Sequence, residues 1–306
     1  MAKILVTGGA GFIGSHLTDK LIEKGHKVVV LDNLSTGRKE NLNEKAELKE
    51  LDICDFKAIR PFFDDIDFVF HLAAMPRVQV SVKNPIMTSQ INIMGTINVF
   101  KCCQEAKIKR VMFASSSSVY GNENKPPFKE DMVPMPASPY AMQKLVGEQF
   151  ARLFTELYKT PIVVLRYFTS YGPRMIFDSE YSLAIGKFFQ LKKENKPLTI
   201  FGDGKQTRGF CYVLDTVEGN IKAMESDKLK GGEIINIAGA ETISINQLAN
   251  LMGGERVYLA PRQGDVKFSM GDINKAKELI NWSPDFSFEQ GIEKTKEWFE
   301  QIINNQ

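Results

Sequence analysis

Short apolar runs alternate with amphipathic segments through the first half of the chain. Largely apolar runs of this kind, typical of strands buried on both faces, occupy Lys3–Thr7, Lys27–Leu31, Phe68–Leu72, Val111–Ala114 and Ile162–Tyr167. Apolar positions with helical spacing lie between them, at Ile13–Lys24, Asn92–Ala106 and Tyr140–Tyr158. Strands separated by helices predict a parallel sheet covered on both faces, and right-handed crossovers make that sheet doubly wound.

The pattern becomes less regular after Tyr167, where glycine and proline interrupt short elements. We therefore predict an α/β fold with two parts. Residues 1–167 form a doubly wound parallel (Rossmann) sheet, and residues 168–306 form a smaller mixed α/β substrate domain. Residues from about 208 to 238 are expected to pack back on the first domain, and Phe288–Asn304 predicts a closing helix.

Composition narrows the class of protein without identifying it. The chain has 306 residues, 43% of them hydrophobic, and a net charge of +2, so neither nucleic acid nor a membrane is an expected partner. The apolar runs are too short to span a bilayer, and the chain enters a strand without a leader segment. The four cysteines form no CxxC pair and the three histidines lack metal-ligand spacing. We expect free thiols, no metal site and a cytoplasmic location.

A glycine loop joins the first strand to the first helix, with glycines at Gly8, Gly11 and Gly14. Glycine permits positive φ angles and close approach of the backbone to a ligand, and the free N–H groups of a helix N-terminus attract an anion. Three glycines alone also fit a tight turn, but the strand before them and the helix after them favour a dinucleotide pyrophosphate site.

Acidic residues end the next strands. Asp32 closes the second strand, where a carboxylate accepts hydrogen bonds from the adenosine ribose diol and repels a 2′-phosphate, which favours NAD over NADP. Asp52 and Ile53 follow another short strand, where they either flank the adenine or form a turn.

Two further groups of residues indicate proton transfer. Tyr140 and Lys144 are four residues apart on one helical face, where the ammonium favours the phenolate. The pKa of a free tyrosine is about 10, so a base that works near neutrality needs a large decrease. Four serines from Ser115 to Ser118 follow a strand, at the edge that faces the ligand crevice, and Ser116 could bond a substrate hydroxyl. Alone, each group also fits a surface pair or a polar turn.

In this order, the motifs resemble those of the extended short-chain dehydrogenases/reductases, and within them the nucleotide-sugar 4-epimerases of the UDP-glucose/UDP-galactose type. The resemblance covers essentially the whole chain. Its motifs are Gly8–Gly14, Leu31–Leu34, His71–Ala74, Asn92–Thr96, Ser115–Ser117, Tyr140–Lys144 and Leu165–Phe168. It implies an isomerase that keeps NAD bound and epimerises C4 of a UDP-sugar through a transient 4-keto sugar.

The resemblance also implies roles for individual residues. Tyr140 is the base, Lys144 tunes it and contacts the nicotinamide ribose, and Ser116 bonds the sugar 4′-hydroxyl. The implied cofactor-binding residues are Gly8, Gly11, Phe12, Ile13, Gly14, Asp32, Asn33, Ser35, Thr36, Gly37, Asp52, Ile53, Leu72, Ala73, Ala74, Asn92, Ser115, Tyr140, Lys144 and Tyr167. The implied substrate-binding residues are Ser116, Ser117, Tyr140, Thr169, Arg208, Arg262, Asp265 and Ser269, with both arginines on the diphosphate.

Several positions depart from related enzymes. Ser117 and Ser118 carry hydroxyls where the 4,6-dehydratases have an acidic pair and the decarboxylating branch has a glutamate at the second position, which favours simple epimerisation. The small Ser269 favours room for an N-acetyl group, so UDP-GlcNAc/UDP-GalNAc activity is expected besides UDP-glucose/UDP-galactose activity. Gly209 follows Arg208 where the family more often has an acid, and nothing explains this substitution.

Other functions remain open. Thr169 resembles the uronate 4-epimerases, in which a threonine helps hold the substrate carboxylate, but their later arginine is Ile176 here, with Arg174 nearby. UDP-glucuronate 4-epimerisation is therefore an alternative. A non-catalytic NAD sensor would need the glycine loop and Asp32 but not the remaining site residues, and a reductase that releases NADH is a further alternative.

The family fold also implies a homodimer. Helices near residues 92–106 and 140–158 are expected to pair across a two-fold axis into a four-helix bundle. Apolar residues that fit either that interface or the subunit core are Phe100, Val146, Phe150, Leu153 and Leu157.

Overall fold

The computed structural model describes residues 1–177, 184–261 and 268–304, with side chains through Ile302. Its strands in these ranges are β1 (Lys3–Thr7), β2 (Lys27–Asp32), β3 (Glu47–Glu50), β4 (Phe68–His71), β5 (Arg110–Ser116), β6 (Ile162–Tyr167), β7 (Thr169–Tyr171), β8 (Leu198–Phe201), β9 (Thr207–Arg208), β10 (Phe210–Tyr212), β11 (Ile234–Ile237), β12 (Ile243–Ser244) and β13 (Arg256–Leu259).

The α-helices in the same ranges are α1 (Phe12–Glu23), α2 (Phe56–Ile59), α3 (Val78–Lys83), α4 (Pro85–Ser89), α5 (Thr96–Glu105), α6 (Pro139–Tyr158), α7 (Ala184–Lys193), α8 (Val213–Glu225), α9 (Ile245–Met252), α10 (Asn274–Ile280) and α11 (Phe288–Asn304). A π-helix, Gln90–Gly95, leads directly into α5. Short 3-10 helices occupy Lys39–Asn41, Arg60–Phe63 and Ser117–Tyr120.

Seven strands form one parallel sheet in the order β11-β6-β5-β4-β1-β2-β3. Alternate residues of a strand face opposite sides of the sheet. Ile4 and Val6 accordingly pack in the apolar layer that contains α1 and α8 residues, and Leu5 packs in the layer that contains α5 and α6 residues. Both faces of the sheet are therefore covered, and the predicted fold class is confirmed.

Helix α6 carries one side of the site described below. Ser138 caps it by accepting the N–H of Ala141 at 3.2 Å, and Pro139 occupies the first helical position, where its missing N–H costs nothing. The buried face repeats at Tyr140, Lys144 and Glu148, which turns all three side chains toward the sheet.

The chain after Tyr167 has its own apolar cluster, built around α7, α9 and α11. A parallel pair, β8 and β13, lies beside it. Part of this half returns to the large sheet: β11 pairs with β6, and α8 packs against α1. Within the described ranges, no helix is both long and apolar enough to cross a membrane.

Candidate active site

A cavity of about 330 Å³ opens at the carboxyl edge of the sheet. Residues at the ends of four different strands line it: Asp32 of β2, Leu72 after β4, Ser116 of β5 and Tyr167 of β6. Ligands of doubly wound sheets bind at this edge. The cavity is therefore the candidate active site.

The glycine loop forms one wall of the cavity and leaves no space for side chains. Gly8 has a φ of +73°, and a Cβ there would lie 2.7 Å from the backbone nitrogen of Ala73. A Cβ on Gly14 would lie 2.1 Å from the carbonyl oxygen of Gly8. Gly11 caps α1 without any side-chain hydrogen bond, so no side chain caps the first N–H groups of the helix, whose residues line the cavity. This cradle fits a pyrophosphate.

Asp32 lies at the next position around the cavity. Its carboxylate oxygens accept the N–H groups of Ala10 and Leu34, both at 2.9 Å. Burial raises the pKa of Asp32, and these two hydrogen bonds oppose the increase. A carboxylate has about four acceptor positions, so capacity remains for a ribose diol. The donor set fits the adenosine half of NAD.

Ser116, Tyr140 and Lys144 line the far end of the same cavity. The ammonium of Lys144 donates to the carbonyl oxygen of Ala114 at 2.7 Å, which holds α6 against the end of β5. Ser116 interacts with the hydroxyl of Tyr140. Ser118 donates to the Ser116 oxygen through its N–H at 3.2 Å and its hydroxyl at 2.9 Å, so it orients Ser116 from behind.

The protein alone does not turn Tyr140 into a base. Burial raises the pKa of Tyr140 to about 12, and the interaction with Ser116 only partly opposes this increase. Burial lowers the pKa of Lys144 to about 8, against the raising effect of the Glu148 carboxylate. A positive nicotinamide ring in this cavity would add the charge that a phenolate needs.

Most of the expected cofactor residues line the cavity; the exceptions are Gly37 and Asn92. A Cβ on Gly37 would lie 3.0 Å from the Asp32 carboxylate, so this glycine permits close packing of the loop. The buried amide of Asn92 bonds the N–H and carbonyl of Met75 and the side chain of Gln143. Asn92 thereby ties a cavity-wall loop to α6.

Fewer of the residues expected to bind the substrate line this cavity. Only Ser116 and Tyr140 line the described cavity, while Ser117, Thr169, Arg208 and Ser269 lie outside its wall. Ser269 is buried, and its carbonyl accepts the N–H of Gly209 at 2.5 Å. Arg262 and Asp265 lie outside the described residues.

Some cavity residues were missing from the sequence prediction. Arg77 lines the cavity beside Met75 and caps α3. It follows the Ala73–Ala74 motif at the carboxyl edge of the sheet, so the topology could have identified it. Arg174, in contrast, donates to Asp19 of α1 at 2.7 Å and does not line the cavity, whereas Ile176 does.

Comparisons with known proteins agree with this geometry. Residues 4–238 match the NAD dependent epimerase/dehydratase family. A putative UDP-glucose 4-epimerase from Methanocaldococcus jannaschii is 40% identical over 303 residues, which cover 96% of this chain and 97% of that protein. A UDP-glucuronate 4-epimerase from Thermodesulfobacterium geofontis is 38% identical over 323 residues, which cover 99% and 98%.

Solved structures give the same result. The crystal structure of UDP-glucose 4-epimerase with UDP-glucose from Thermotoga maritima has a TM-score of 0.95 at 38% identity, covering 98% of this chain and 99% of that one. The expected resemblance and the expected cofactor, NAD, are confirmed. The chain belongs to the NAD-dependent epimerase/dehydratase family.

Proposed function

We propose that this protein is an NAD-dependent 4-epimerase of a UDP-sugar, most simply UDP-glucose/UDP-galactose. The observation that carries the proposal is the convergence of Ser116, Tyr140 and Lys144 on the cavity that also contains the glycine loop. A protein that only senses NAD, without catalysis, would need only the glycine loop and Asp32, the carboxylate expected to bind the adenosine ribose. Relatives named for UDP-sugar 4-epimerisation support the reaction class.

In the proposed mechanism, the glycine loop and Asp32 would hold NAD, which when bound would supply the acceptor and donor of the hydride at the sugar C4′. Tyr140 removes the proton of the 4′-hydroxyl and gives it back in the second half of the reaction. Ser116 holds the 4′-oxygen by a hydrogen bond, and the Lys144 ammonium stabilises the phenolate. We assign Arg208 and Arg262 to the diphosphate, which stays bound while the 4-keto sugar turns over.

The described cavity offers no acid for a further reaction at the sugar. Its acidic lining residues in the described ranges are Asp32 and Asp52, which lie at the adenosine end with Asn33. Elimination of water or loss of a carboxyl group needs an added acid/base near the sugar. The hydroxyls of Ser117 and Ser118 supply none at neutral pH, so the chemistry supports epimerisation alone.

UDP-glucuronate is the second candidate substrate. Arg174 is held by Asp19, away from the cavity, and Ile176 gives that wall an apolar surface, which disfavours a carboxylate there. Arg77, however, also lines the cavity. A guanidinium can pair with a carboxylate through two hydrogen bonds, so Arg77 is the observation that supports the uronate.

The direct test of the proposed function uses the purified protein and four UDP-sugars: UDP-glucose, UDP-GlcNAc, UDP-galactose and UDP-glucuronate. We expect conversion of UDP-glucose to an isomer of equal mass, with no net formation of NADH, read by chromatography coupled to mass spectrometry. Preference for UDP-glucuronate would assign Arg77 to the carboxylate. Loss of water or carbon dioxide, accumulation of NADH, or NAD binding without turnover would each contradict the proposal.

The small side chain of Ser269, at the position that in related enzymes borders the sugar, predicts the tolerance for acetylated sugars. Replacing Ser269 by tyrosine is expected to lower turnover of UDP-GlcNAc relative to UDP-glucose by about tenfold or more, because a bulky side chain excludes the acetyl group. Competition between the two substrates in one reaction measures this ratio directly. An unchanged ratio would contradict the assignment of Ser269 to the sugar pocket.

We further propose the domain division expected from the sequence: residues 1–167, with about 208–238, bind NAD, and residues 168–306 bind the sugar nucleotide. The pairing of β11 with β6 supports the return of the second segment. We also propose a cytoplasmic location, in agreement with free thiols at Cys54, Cys102, Cys103 and Cys211.

A homodimer is proposed from apolar residues on the outer face of α6. Met142 and Leu157 are exposed, and Val146 and Leu153 are half-buried between them at helical spacing. Phe100, in contrast, is fully buried inside the subunit and belongs to the core. Phe150 is half-buried and packs against the same core.

The proposed interface predicts a charge-sensitive dimer. A variant with Leu157→Arg and Met142→Arg is expected to be a monomer in light scattering, because each arginine would place a charge between the two subunits. Leu251→Arg is the matched control: Leu251 is 50% exposed on α9, away from the proposed interface, and its replacement should leave the dimer intact. A monomeric parent protein, or a dimeric double variant, would contradict the proposed interface.

A further inference from the structure

A buried ion pair lies directly behind the candidate catalytic side chains. Glu148 of α6 and Arg166 of β6 are 2% and 1% exposed. The Nε and Nη2 atoms of Arg166 donate to the two carboxylate oxygens at 2.9 and 2.7 Å. The guanidinium also lies over the ring of Tyr120, 4.7 Å from its centroid. Two apolar side chains of similar volume could stabilise the fold as well as this ion pair does. Stability alone therefore does not explain why two charges are buried here.

Glu148 also binds the strand that carries the site. The hydroxyl of Ser115 donates to the carboxylate of Glu148 at 2.5 Å. Ser115 and Arg166 are direct neighbours across the β5–β6 pair. One carboxylate thus joins α6, β5 and β6 at the next-to-last residue of each strand.

The residues on either side of Ser115 make the contacts of the catalytic groups. Ala114 accepts the hydrogen bond of Lys144, and Ser116 interacts with Tyr140. Tyr140, Lys144 and Glu148 follow one another at intervals of four on α6. Lys144 and Glu148 therefore hold two consecutive residues of β5, Ala114 and Ser115, and Tyr140 lies beside the next one, Ser116.

We propose that the Glu148–Arg166 pair is a positioning device for the active site: Glu148 fixes the end of β5 through Ser115, and the opposed charges of the pair act on the ammonium of Lys144, one helical turn from Glu148 on α6. Neither residue reaches the cavity wall, so both act through other residues. The catalytic consequence rests on the proposed function, but the effect on Lys144 does not.

Other charged or titratable groups around Lys144 do not replace this effect. These groups are His71 on β4, Tyr167 on β6, Tyr140 on α6 and Arg77 before α3. Burial lowers the pKa of His71 to about 3, so this imidazole is neutral. Burial raises the pKa of both tyrosines above the neutral range, so they carry no charge in the absence of cofactor. Arg77 is positive, so Glu148 supplies the negative charge that favours the protonated Lys144.

The two halves of the pair predict opposite effects. In Glu148→Gln the pKa of Lys144 falls, because the favourable negative charge is lost and Arg166 remains. In Arg166→Met it rises, because Glu148 is no longer neutralised. The expected shift is about one pH unit in each direction. A small amine-reactive acylating agent labels Lys144 only when the side chain is unprotonated. The labelling rate in the cofactor-free protein, followed across pH by peptide mass spectrometry, therefore measures the pKa of Lys144.

The pH profile of kcat provides the catalytic measurement. Its alkaline limb reports loss of the Lys144 proton, so that limb moves to lower pH in Glu148→Gln and to higher pH in Arg166→Met. Glu156→Gln is the matched control, because Glu156 pairs with Arg152 on the exposed face of the same helix. We expect no shift in this control. Shifted labelling in a protein that epimerises no UDP-sugar would refute the proposed function and leave the electrostatic effect intact.

A folding defect must be separated from this effect, because an unpaired buried charge destabilises the protein. The double variant Glu148→Gln/Arg166→Gln leaves no charge unpaired. We expect its Lys144 pKa to fall, by less than in Glu148→Gln, because the nearer charge dominates. Lower melting temperatures with an unchanged pH dependence of Lys144 labelling would overturn the proposal, and so would shifts of the same sign in both single variants.

Discussion

Replacing Tyr140 by phenylalanine is expected to lower kcat by about 10³-fold or more, while the protein retains its NAD. Tyr140 is 9% exposed, and its hydroxyl lies next to Ser116. Both residues line the end of the cavity away from Asp32, the carboxylate expected to bind the adenosine ribose. Without that hydroxyl, the proton of the sugar 4′-oxygen has no acceptor. Lys144 cannot replace it, because its ammonium is held by the carbonyl of Ala114.

The measurement separates chemistry from binding. A coupled assay gives kcat and KM, and release of NAD from denatured protein, quantified by chromatography, gives cofactor occupancy. We expect kcat to fall, with KM changed by less than about fivefold, because the hydroxyl acts mainly in the transition state. Tyr158→Phe is the matched control: Tyr158 ends the same helix, is 55% exposed and should show parental kinetics. Turnover within tenfold of the parent in Tyr140→Phe would exclude this tyrosine as the base.

The residues expected to hold the cofactor could be predicted to line one cavity because the determinants of their placement are local. Gly8 to Gly14 must provide a turn and a helix start within a few residues, and Asp32 lies at the end of the adjacent strand. Periodicity also located β1 and β6 at their observed bounds and α6 within one residue. To place these residues at the cavity, it is enough to know the direction of each strand and the rule that ligands bind at the carboxyl edge of the sheet.

The remaining parts depend on contacts between distant segments. The edge strand β3 reads ELKE, and its charges hide the strand pattern because only one side of an edge strand is covered. The helix predicted for Asn92–Ala106 begins as a π-helix, which turns Asn92 toward Met75 and Gln143. The partner of Glu148 lies on β6, and no local spacing identifies it.

The positions of the residues expected to bind the sugar nucleotide were the least predictable. Thr169 lies outside the described cavity wall although Phe168 and Ser170 line it, because successive residues of an extended chain face opposite directions. Ser117 lies outside the wall at the point where β5 ends and a 3-10 helix begins. Arg77 lines the wall without any motif of its own. Substrate choice therefore depends on loop positions that secondary-structure patterns do not specify.

Replacing Gly14 by alanine is expected to abolish retention of NAD and to weaken its binding by at least about 100-fold, or ~3 kcal/mol. The new Cβ would lie 2.1 Å from the carbonyl oxygen of Gly8, far inside van der Waals contact. The backbone fixes the position of a Cβ, and its neighbour here is a backbone oxygen, so no side-chain rotation relieves the contact. The loop must move away from α1, and the helix N–H groups then no longer converge on the pyrophosphate.

The same substitution at the other end of this helix is the matched control. Gly25 follows α1, has a φ of +82° and has no atom within 4 Å of its added Cβ. Gly25→Ala therefore costs backbone strain of about 1–2 kcal/mol but leaves the loop unchanged. Calorimetric titration with NAD and thermal unfolding of both variants separate the two effects. Gly25→Ala should lose stability and keep NAD affinity, whereas Gly14→Ala should lose NAD affinity even where it remains folded. If Gly14→Ala binds NAD within threefold of the parent, the loop does not hold the pyrophosphate in the way its geometry indicates.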